Sequence, residues 1–255
     1  MKKQIMDLEV LSLEQLNERN VLLKLHCPID GEILAGQFVE VRIDNQKDVF
    51  LRCPISVHYY SEESHELWLL VQLVGKGTRA ISMLEKGTKI NRVLPLGNGF
   101  SLPEKPQKTL LVGGGVGVAP LLYLGKKLKE KGNEVTFLLG ARTSSDLMQI
   151  AYFKEFGEVC ITTEDASEGE SGFVTQHSVW GKRQFDKIFS CGPTPMMKAV
   201  AKMAQERNID CEVSLENMMA CGVGACLCCV EKDGEGHNVC VCKEGPVFNS
   251  KKLNW

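Results

Sequence analysis

Cys221, Cys226 and Cys229 stand at the spacing C-x4-C-x2-C, and Cys240 and Cys242 follow soon after. No other stretch constrains the fold as strongly. Residues 217–255 are too few to build an adequate core of their own, so this end of the chain calls for a metal centre as its staple. The spacing is that of a loop wrapped around a [2Fe–2S] cluster, with one cysteine from further along completing the set. Gly222 and Gly224 suit such a loop, because backbone N–H groups approach sulfur closely only at dihedrals that side chains disfavour. A structural zinc site built from Cys228/Cys229 and Cys240/Cys242 is the alternative. Zinc knuckles usually pair two C-x2-C units, and the second pair here is C-x-C. Cys228, Cys240 and Cys242 compete for the fourth cluster position. Cys228 is next to Cys229, and one tight loop rarely turns both side chains onto one iron; between Cys240 and Cys242 the spacing does not choose. A cluster of this type passes one electron at a time, so a chain that holds one moves electrons.

The 255 residues suffice for two domains and a small appendage. The net charge of −2 gives no hint of nucleic acid or membrane binding, and neither is expected as a partner. No apolar run approaches the length of a membrane span. The first residues, Met1–Asp7, start basic but lack the apolar stretch of a signal peptide, which points to the cytoplasm. Eleven cysteines, an odd number, then read as metal ligands and buried thiols instead of a disulfide framework.

Three regions follow one another. Residues 1–101 carry β-rich runs at 7–11, 21–26, 37–43, 49–57, 66–73 and 89–93, separated by turn residues such as Pro28, Gly31, Gly36 and Gly87. Six short strands with one helical stretch at 78–84 predict an antiparallel β-barrel, which leaves no exposed sheet edge. Residues 102–216 alternate strands (109–112, 134–139, 159–162, 187–190, 211–215) with helices (119–131, 145–156, 194–207), the pattern of a doubly wound parallel α/β sheet. The break falls at Ser101–Lys108, where Pro103 and Pro106 mark a linker. Residues 217–255 form the cysteine module.

Two turns in the α/β region have the placement of a dinucleotide site. Gly113, Gly114, Gly115, Val116 and Gly117 lie where a strand gives way to a helix, the place that receives a pyrophosphate. The strict G-x-G-x-x-G pattern is absent, and Gly140-Ala141-Arg142 stands where an acidic ribose partner is expected, so the motif alone is a weak signal and a tight βα turn is its alternative. Cys191, Gly192 and Pro193 form a second such turn at the end of a later strand, with Pro195 suited to the first turn of the helix that follows. In the barrel region, Arg52, Cys53, Pro54, Ile55 and Ser56 place a cation and a hydroxyl where they could hold an anionic cofactor, and Gly75-Lys76-Gly77-Thr78 is a turn able to face phosphate oxygens. Singly, each of these is more often an ordinary strand or turn. The five histidines are scattered and none forms a catalytic constellation.

Together, a barrel with an R-x-x-S-like strand, a sheet domain with G-G-G-V-G and C-G-P turns, and a terminal cluster loop resemble the ferredoxin–NADP reductase superfamily. Leu51–Ser56, Leu96–Phe100, Gly113–Pro120, Cys191–Met197, Cys221–Cys229 and Cys242–Phe248 resemble, within it, the electron-transfer subunits of class 1B dihydroorotate dehydrogenase. The resemblance spans nearly the whole chain. It implies FAD in the barrel, on Arg52–Ser56, Leu70, Val71, Gln72, Gly77 and Thr78, and NAD(H) on the Gly113–Gly117 and Cys191–Pro193 turns. It implies Cys242 as the fourth cluster ligand, beside Cys221, Cys226 and Cys229. Hydride transfer then needs no acid or base, with Ser56 near the flavin and Cys191 near the nicotinamide. The implied partner is an FMN-containing dihydroorotate dehydrogenase catalytic subunit, in a heterotetramer of two copies of each. This chain departs from the resemblance at Cys53 and Gln72, where arginines are common. The rival within the superfamily is a flavin and iron–sulfur subunit of a sulfhydrogenase or of an NADPH-dependent ferredoxin oxidoreductase, which Arg142 would suit. The rival of another class is a zinc-stapled nucleotide-binding regulatory module.

Overall fold

The computed structural model describes residues 3–44 and 46–255. Strands β1 (Gln4–Asn17), β2 (Asn20–His26), β3 (Phe38–Val41), β4 (Cys53–Ser61), β5 (Glu66–Gln72) and β6 (Lys89–Leu96) close into an antiparallel barrel in the order β1-β2-β5-β4-β3-β6. Helix α1 (Lys76–Ile81) bridges β5 and β6. Alternation sends Leu8 and Val10, Leu23 and Leu25, Val39 and Val41, and Leu67 and Leu69 into the barrel core. Each fully buried side chain of this kind contributes roughly 1.5–3 kcal/mol. The run expected at 49–57 begins as a strand only at Cys53, because its partner β3 ends at Val41, directly opposite Cys53. Without a ladder, Val49–Arg52 stays irregular and leaves Phe50 91% exposed.

The second unit contains β7 (Lys108–Gly114), α2 (Ala119–Glu130), β8 (Glu134–Ala141), α3 (Ile150–Phe156), β9 (Glu158–Thr163), β10 (Glu170–Ser171), α4 (Val179–Lys182), β11 (Lys187–Cys191), α5 (Thr194–Glu206) and β12 (Asp210–Ser214). Its strands pair in parallel in the order β10-β9-β8-β7-β11-β12. Leu111, Phe137 and Phe189 share one apolar core with Leu121 and Leu124 of α2, while Leu110, Leu138 and Ile188 pack with Val200 and Ala204 of α5. Helices thus cover both sheet faces, and the chain reverses direction across the sheet between β7 and β11. The helix expected at 145–156 is divided. Ser144–Asp146 forms a 3-10 turn, the Ser144 N–H donates to Ser167 Oγ (2.7 Å), and Gln149 adopts φ +60° before α3 begins.

The cysteine-rich segment holds a hairpin of β13 (Val230–Lys232) and β14 (Asn238–Cys240), helix α6 (Val241–Glu244) and strand β15 (Val247–Asn249). β15 pairs antiparallel with β12 and completes the sheet edge. The segment from Leu215 to Pro246 is therefore a long excursion between two neighbouring strands, closed at its base by the Leu215 N–H donating to the Pro246 carbonyl (2.9 Å).

The barrel and the sheet unit join through β4 and α2. His58, fully buried, bonds through Nδ1 to the Ala119 carbonyl (2.8 Å). Tyr59 and Trp68 of the barrel meet Tyr123, Tyr152 and Phe156 of the helices, with Lys126 above the Tyr59 ring. No helix among the described residues is long and apolar enough to cross a membrane.

Candidate redox site

Strands β4 and β5 present one face to the C-terminal ends of β7, β11 and β12, where open α/β sheets receive ligands. A cleft of about 210 Å³ opens there. Pro54, Ile55, Ser56, Leu70 and Gln72 form its barrel wall, Thr78 and Val74 one end, and Val116 and Ala119 the wall from the sheet unit. Leu215, Glu216, Asn217 and Met219, on the stretch leading from β12 toward the cysteines, also line it, as do Phe38 and Pro246. Glu216 and its neighbours lacked a motif in the sequence; the one signal was their position just beyond the C-terminal end of a strand.

Other expected residues lie around this cleft or away from it. Val71 is fully buried in the barrel core, on the opposite face of β5 from Gln72. Arg52 turns aside: its guanidinium donates to the carbonyls of Glu40 and Asn91 (both 3.3 Å) and to Asn91 Oδ1 (2.5 Å). Cys53 packs on the α1 turn, with its sulfur only 2.6 Å from where a Cβ on Gly77 would stand. A side chain at residue 77 would therefore displace the thiol. The Thr78 hydroxyl accepts the N–H groups of Val74 (3.0 Å) and Gly75 (3.1 Å), so it holds its own turn together.

The Gly113–Gly117 and Cys191–Pro193 turns pack backbone to backbone. A Cβ on Gly117 would fall 2.4 Å from Gly192 Cα, and one on Gly114 would meet Met196 Sδ at 2.6 Å. Only glycine permits that approach. Gly115, at φ +56°, has open space beside it and faces solvent. Pro193 is exposed on the same rim, and Gly113 is buried at the end of β7. Cys191 is fully buried, and its thiol bonds Ser214; burial raises it well above the ordinary thiol range. Arg142 stands exposed beyond the end of β8.

The cysteine loop turns through Gly222 (φ +64°), Gly224 (φ +81°) and Leu227 (φ +60°). It directs three N–H groups at Cys221 Sγ, from Val223 (3.5 Å), Ala225 (3.3 Å) and Cys226 (3.4 Å). These bonds, the Val223 one foremost, hold the Cys221 thiol down at about 6. Gly224 N–H donates to Cys242 Sγ (3.1 Å), and Cys242 N–H to Cys229 Sγ (3.3 Å). Burial pushes Cys242 up to about 12. The thiols associate two and two, Cys221 with Cys226 and Cys229 with Cys242. Among the described residues, no three Cys, His, Asp or Glu donors are grouped about one ion-binding point. Two pairs of cysteine sulfurs in a nest of N–H donors suit a two-iron centre, whereas one zinc ion takes four donors around a single point. Cys228 is exposed and Cys240 half-buried.

The loop rests on the barrel. A Cβ on Gly222 would meet Glu40 Cγ (2.9 Å) and Leu96 Cδ1 (3.0 Å). Glu40 is buried and, among the described residues, neither carboxylate oxygen has a hydrogen-bond partner. Its burial raises the carboxyl to about 7, against the lowering influence of Arg52.

Comparison with known proteins agrees with this architecture. The family model described as "Iron-sulfur cluster binding domain of dihydroorotate dehydrogenase B" matches residues 216–254, and "Oxidoreductase NAD-binding domain" matches residues 111–202. The dihydroorotate dehydrogenase B (NAD(+)) electron transfer subunit of Shouchella clausii is 40% identical over 230 residues, 86% of this chain and 88% of that protein. That of Desulforamulus reducens is 37% identical over 98% of both chains. A solved chain of an NADH-dependent reduced ferredoxin–NADP oxidoreductase superposes with a TM-score of 0.88 at 33% identity, covering 97% of this chain and 90% of that one. With its barrel, sheet and cysteine segment all accounted for in such relatives, the chain belongs to the family of dihydroorotate dehydrogenase B (NAD(+)) electron transfer subunits.

Proposed function

We propose that this chain relays electrons between NAD(H), an FAD in the cleft and a [2Fe–2S] cluster, to or from an FMN-containing dihydroorotate dehydrogenase catalytic subunit in pyrimidine biosynthesis. In this reading residues 1–101 carry the flavin, 102–216 the dinucleotide, and Cys221, Cys226, Cys229 and Cys242 the cluster. Two copies of each subunit assemble in the cytoplasm. The observation that carries the reading is the sharing of β3. Phe38 lines the cleft and Glu40 underlies Gly222 of the cysteine loop. Residues two apart on a strand face the same way about 7 Å apart, so cleft and loop are neighbours.

When bound, FAD takes a hydride from NADH and the cluster carries its two electrons onward singly. The chain's own residues position and shield. Pro54, Ile55 and Leu70 offer an apolar wall to a ring system, and Ser56 adds a hydroxyl at its edge. The open face at Gly115 gives a pyrophosphate access to backbone N–H groups. Cys191, behind the Gly192 turn, fixes the end of β11 through Ser214. The ring end of the cleft fits a flavin. At the phosphate end Cys53 supplies no charge, so FAD is expected to bind less tightly than an arginine there would allow.

Purified chain should reduce artificial acceptors with NADH, and couple NADH to orotate only after the catalytic subunit is added. Orotate reduction by the chain alone would refute the division of labour. Val223 and Leu227 are 43% and 63% exposed on the cysteine loop and offer the partner an apolar contact. Val223→Glu should depress coupled turnover more than artificial-acceptor reduction; equal loss would remove Val223 from the interface. A second reading, an NADPH-dependent ferredoxin oxidoreductase subunit, draws on Arg142 and on the 33% identical oxidoreductase chain. Anaerobic flavin bleaching decides: faster bleaching by NADPH than by NADH favours that second reading.

A further inference from the structure

Leu96–Phe100 leads out of β6 toward the sheet unit, and the electron relay as described gives it no task. Within it, Asn98 engages four consecutive residues of the cysteine segment. Its backbone N–H donates to the Gly245 carbonyl (2.6 Å). Its side-chain amide donates to the carbonyls of Glu244 (2.9 Å) and Lys243 (3.3 Å), and the residue forms a parallel bridge with Pro246. The last carbonyls of a helix find no partner inside it. Helix α6 has only four residues, so Asn98 supplies from the barrel what its C-terminal end lacks. At the other end, the Val241 N–H donates to the Cys229 carbonyl (3.2 Å) and the Cys242 N–H to Cys229 Sγ (3.3 Å). Cys242 therefore rides on an element gripped by the cysteine loop on one side and by the barrel on the other.

The grip is itself held in place. Gln37 Nε2 donates to the Gly97 carbonyl (2.9 Å), while its Oε1 accepts the Leu34 N–H (2.8 Å). Gly97 stands at φ +73°, and a Cβ there would fall 2.5 Å from Pro246 Cδ and 3.0 Å from Phe38 Cε1, both on side chains that line the cleft. A Cβ on Gly224 would meet Lys243 Cδ at 2.9 Å, so the residue after Cys242 also supports the loop that donates to its sulfur. Cleft wall, Gly97-Asn98 corner and Cys242 thus form one chain of contacts. The Asn98 side chain is exposed and outside the cleft lining, so replacing it opens no hole in either core.

We propose that Asn98 is a positioning residue for electron transfer: by capping α6 from the barrel, it holds Cys242, and the metal centre with it, in a fixed orientation toward the flavin cleft. This rests on the electron-relay reading above, with Cys242 among the ligands. Hydride transfer from NADH to the flavin does not involve α6. The single-electron step from flavin to cluster does, because a displacement of about 1 Å at the reacting groups costs a large factor in rate.

The test compares FAD- and cluster-loaded wild type with Asn98→Ala, Asn98→Asp and Asn249→Ala. Asn98→Asp keeps the size of the side chain and exchanges its donor for a carboxylate that only accepts. Asn249→Ala is the control, since Asn249 bonds Asp210 (2.7 Å) at the sheet edge and not α6. After anaerobic mixing with NADH, stopped flow follows flavin bleaching, and freeze-quenched samples report the reduced cluster by electron spin resonance. Both Asn98 variants should bleach within about twofold of the wild-type rate, yet build up the reduced-cluster signal at least about tenfold more slowly. The shape of that signal should also change, which a loss of stability alone would not produce. Loss of bound iron from the Asn98 variants with bleaching preserved would likewise support the proposal. Wild-type signal shape and build-up in both Asn98 variants, or the same slowing in Asn249→Ala, would overturn it. Wild-type protein whose flavin NADH does not bleach, or whose cluster NADH does not reduce, would instead overturn the relay reading.

Discussion

Single side chains carry the sharpest tests. Serine replacements at Cys221, Cys226, Cys229 and Cys242 should each abolish bound iron and the reduced-cluster electron spin resonance signal. Cys228→Ser and Cys240→Ser should keep both. Loss of the signal on Cys240→Ser with retention on Cys242→Ser would reverse the ligand assignment. His58 makes a different prediction, about pH. Burial lowers its ring from 6.5 to about 4, so it is neutral where it meets the Ala119 carbonyl. Above pH 6.5 the ring is uncharged in both folded and unfolded chains and contributes no pH dependence. As pH falls from 6.5 toward 4, only the unfolded chain takes up the proton. Stability should drop by up to about 3 kcal/mol across that window, with no further loss below it. Urea unfolding of His58→Asn should lack this component, and an unchanged pH slope in the variant would assign it elsewhere. Of the proposed cluster ligands, three came from spacing, while the fourth rested on family resemblance. His58 was not legible at all, because it takes its character from neighbours remote in the chain, and Glu216 was marked only by its place just beyond a strand end.

Elements show the same division between local and remote causes. The barrel strands could be read from alternating side chains, since one face of each meets the core. The onset of β4 could not, because it depends on where β3 stops. β15 has only three residues, too few for any periodic signal, and exists because β12 offers it an edge. The glycines of the Gly113–Gly117 and Cys191–Pro193 turns suggested a phosphate cradle, but geometry divides their work. Gly117→Ala should cost about 1–3 kcal/mol by forcing the β7 and β11 turns apart, and should weaken NADH binding with it. Gly115→Ala meets no neighbour and should cost only about 1 kcal/mol, through its left-handed backbone. Thermal melts and NADH titrations of the pair would check the contrast; equal losses would remove the distinction.

At the scale of the whole molecule, the barrel, sheet and cysteine segment are joined by direct contacts between protein groups. The sequence suggested that the cluster would staple a segment too small to fold alone. In the structure the excursion from Leu215 to Pro246 leaves and rejoins the same sheet edge, through β12 and β15, and Leu253 bridges back to Asp233. Iron chelation should therefore abolish the cluster bands while leaving the thermal transition of the barrel and sheet within a few degrees of the loaded protein. Coincident loss of both would return the cluster to the role of staple. If the sheet edge keeps this seam closed, the metal centre is a serviceable part. Oxidative damage to the iron would call for resupply of iron and sulfide to a waiting loop, and not for synthesis of a new polypeptide.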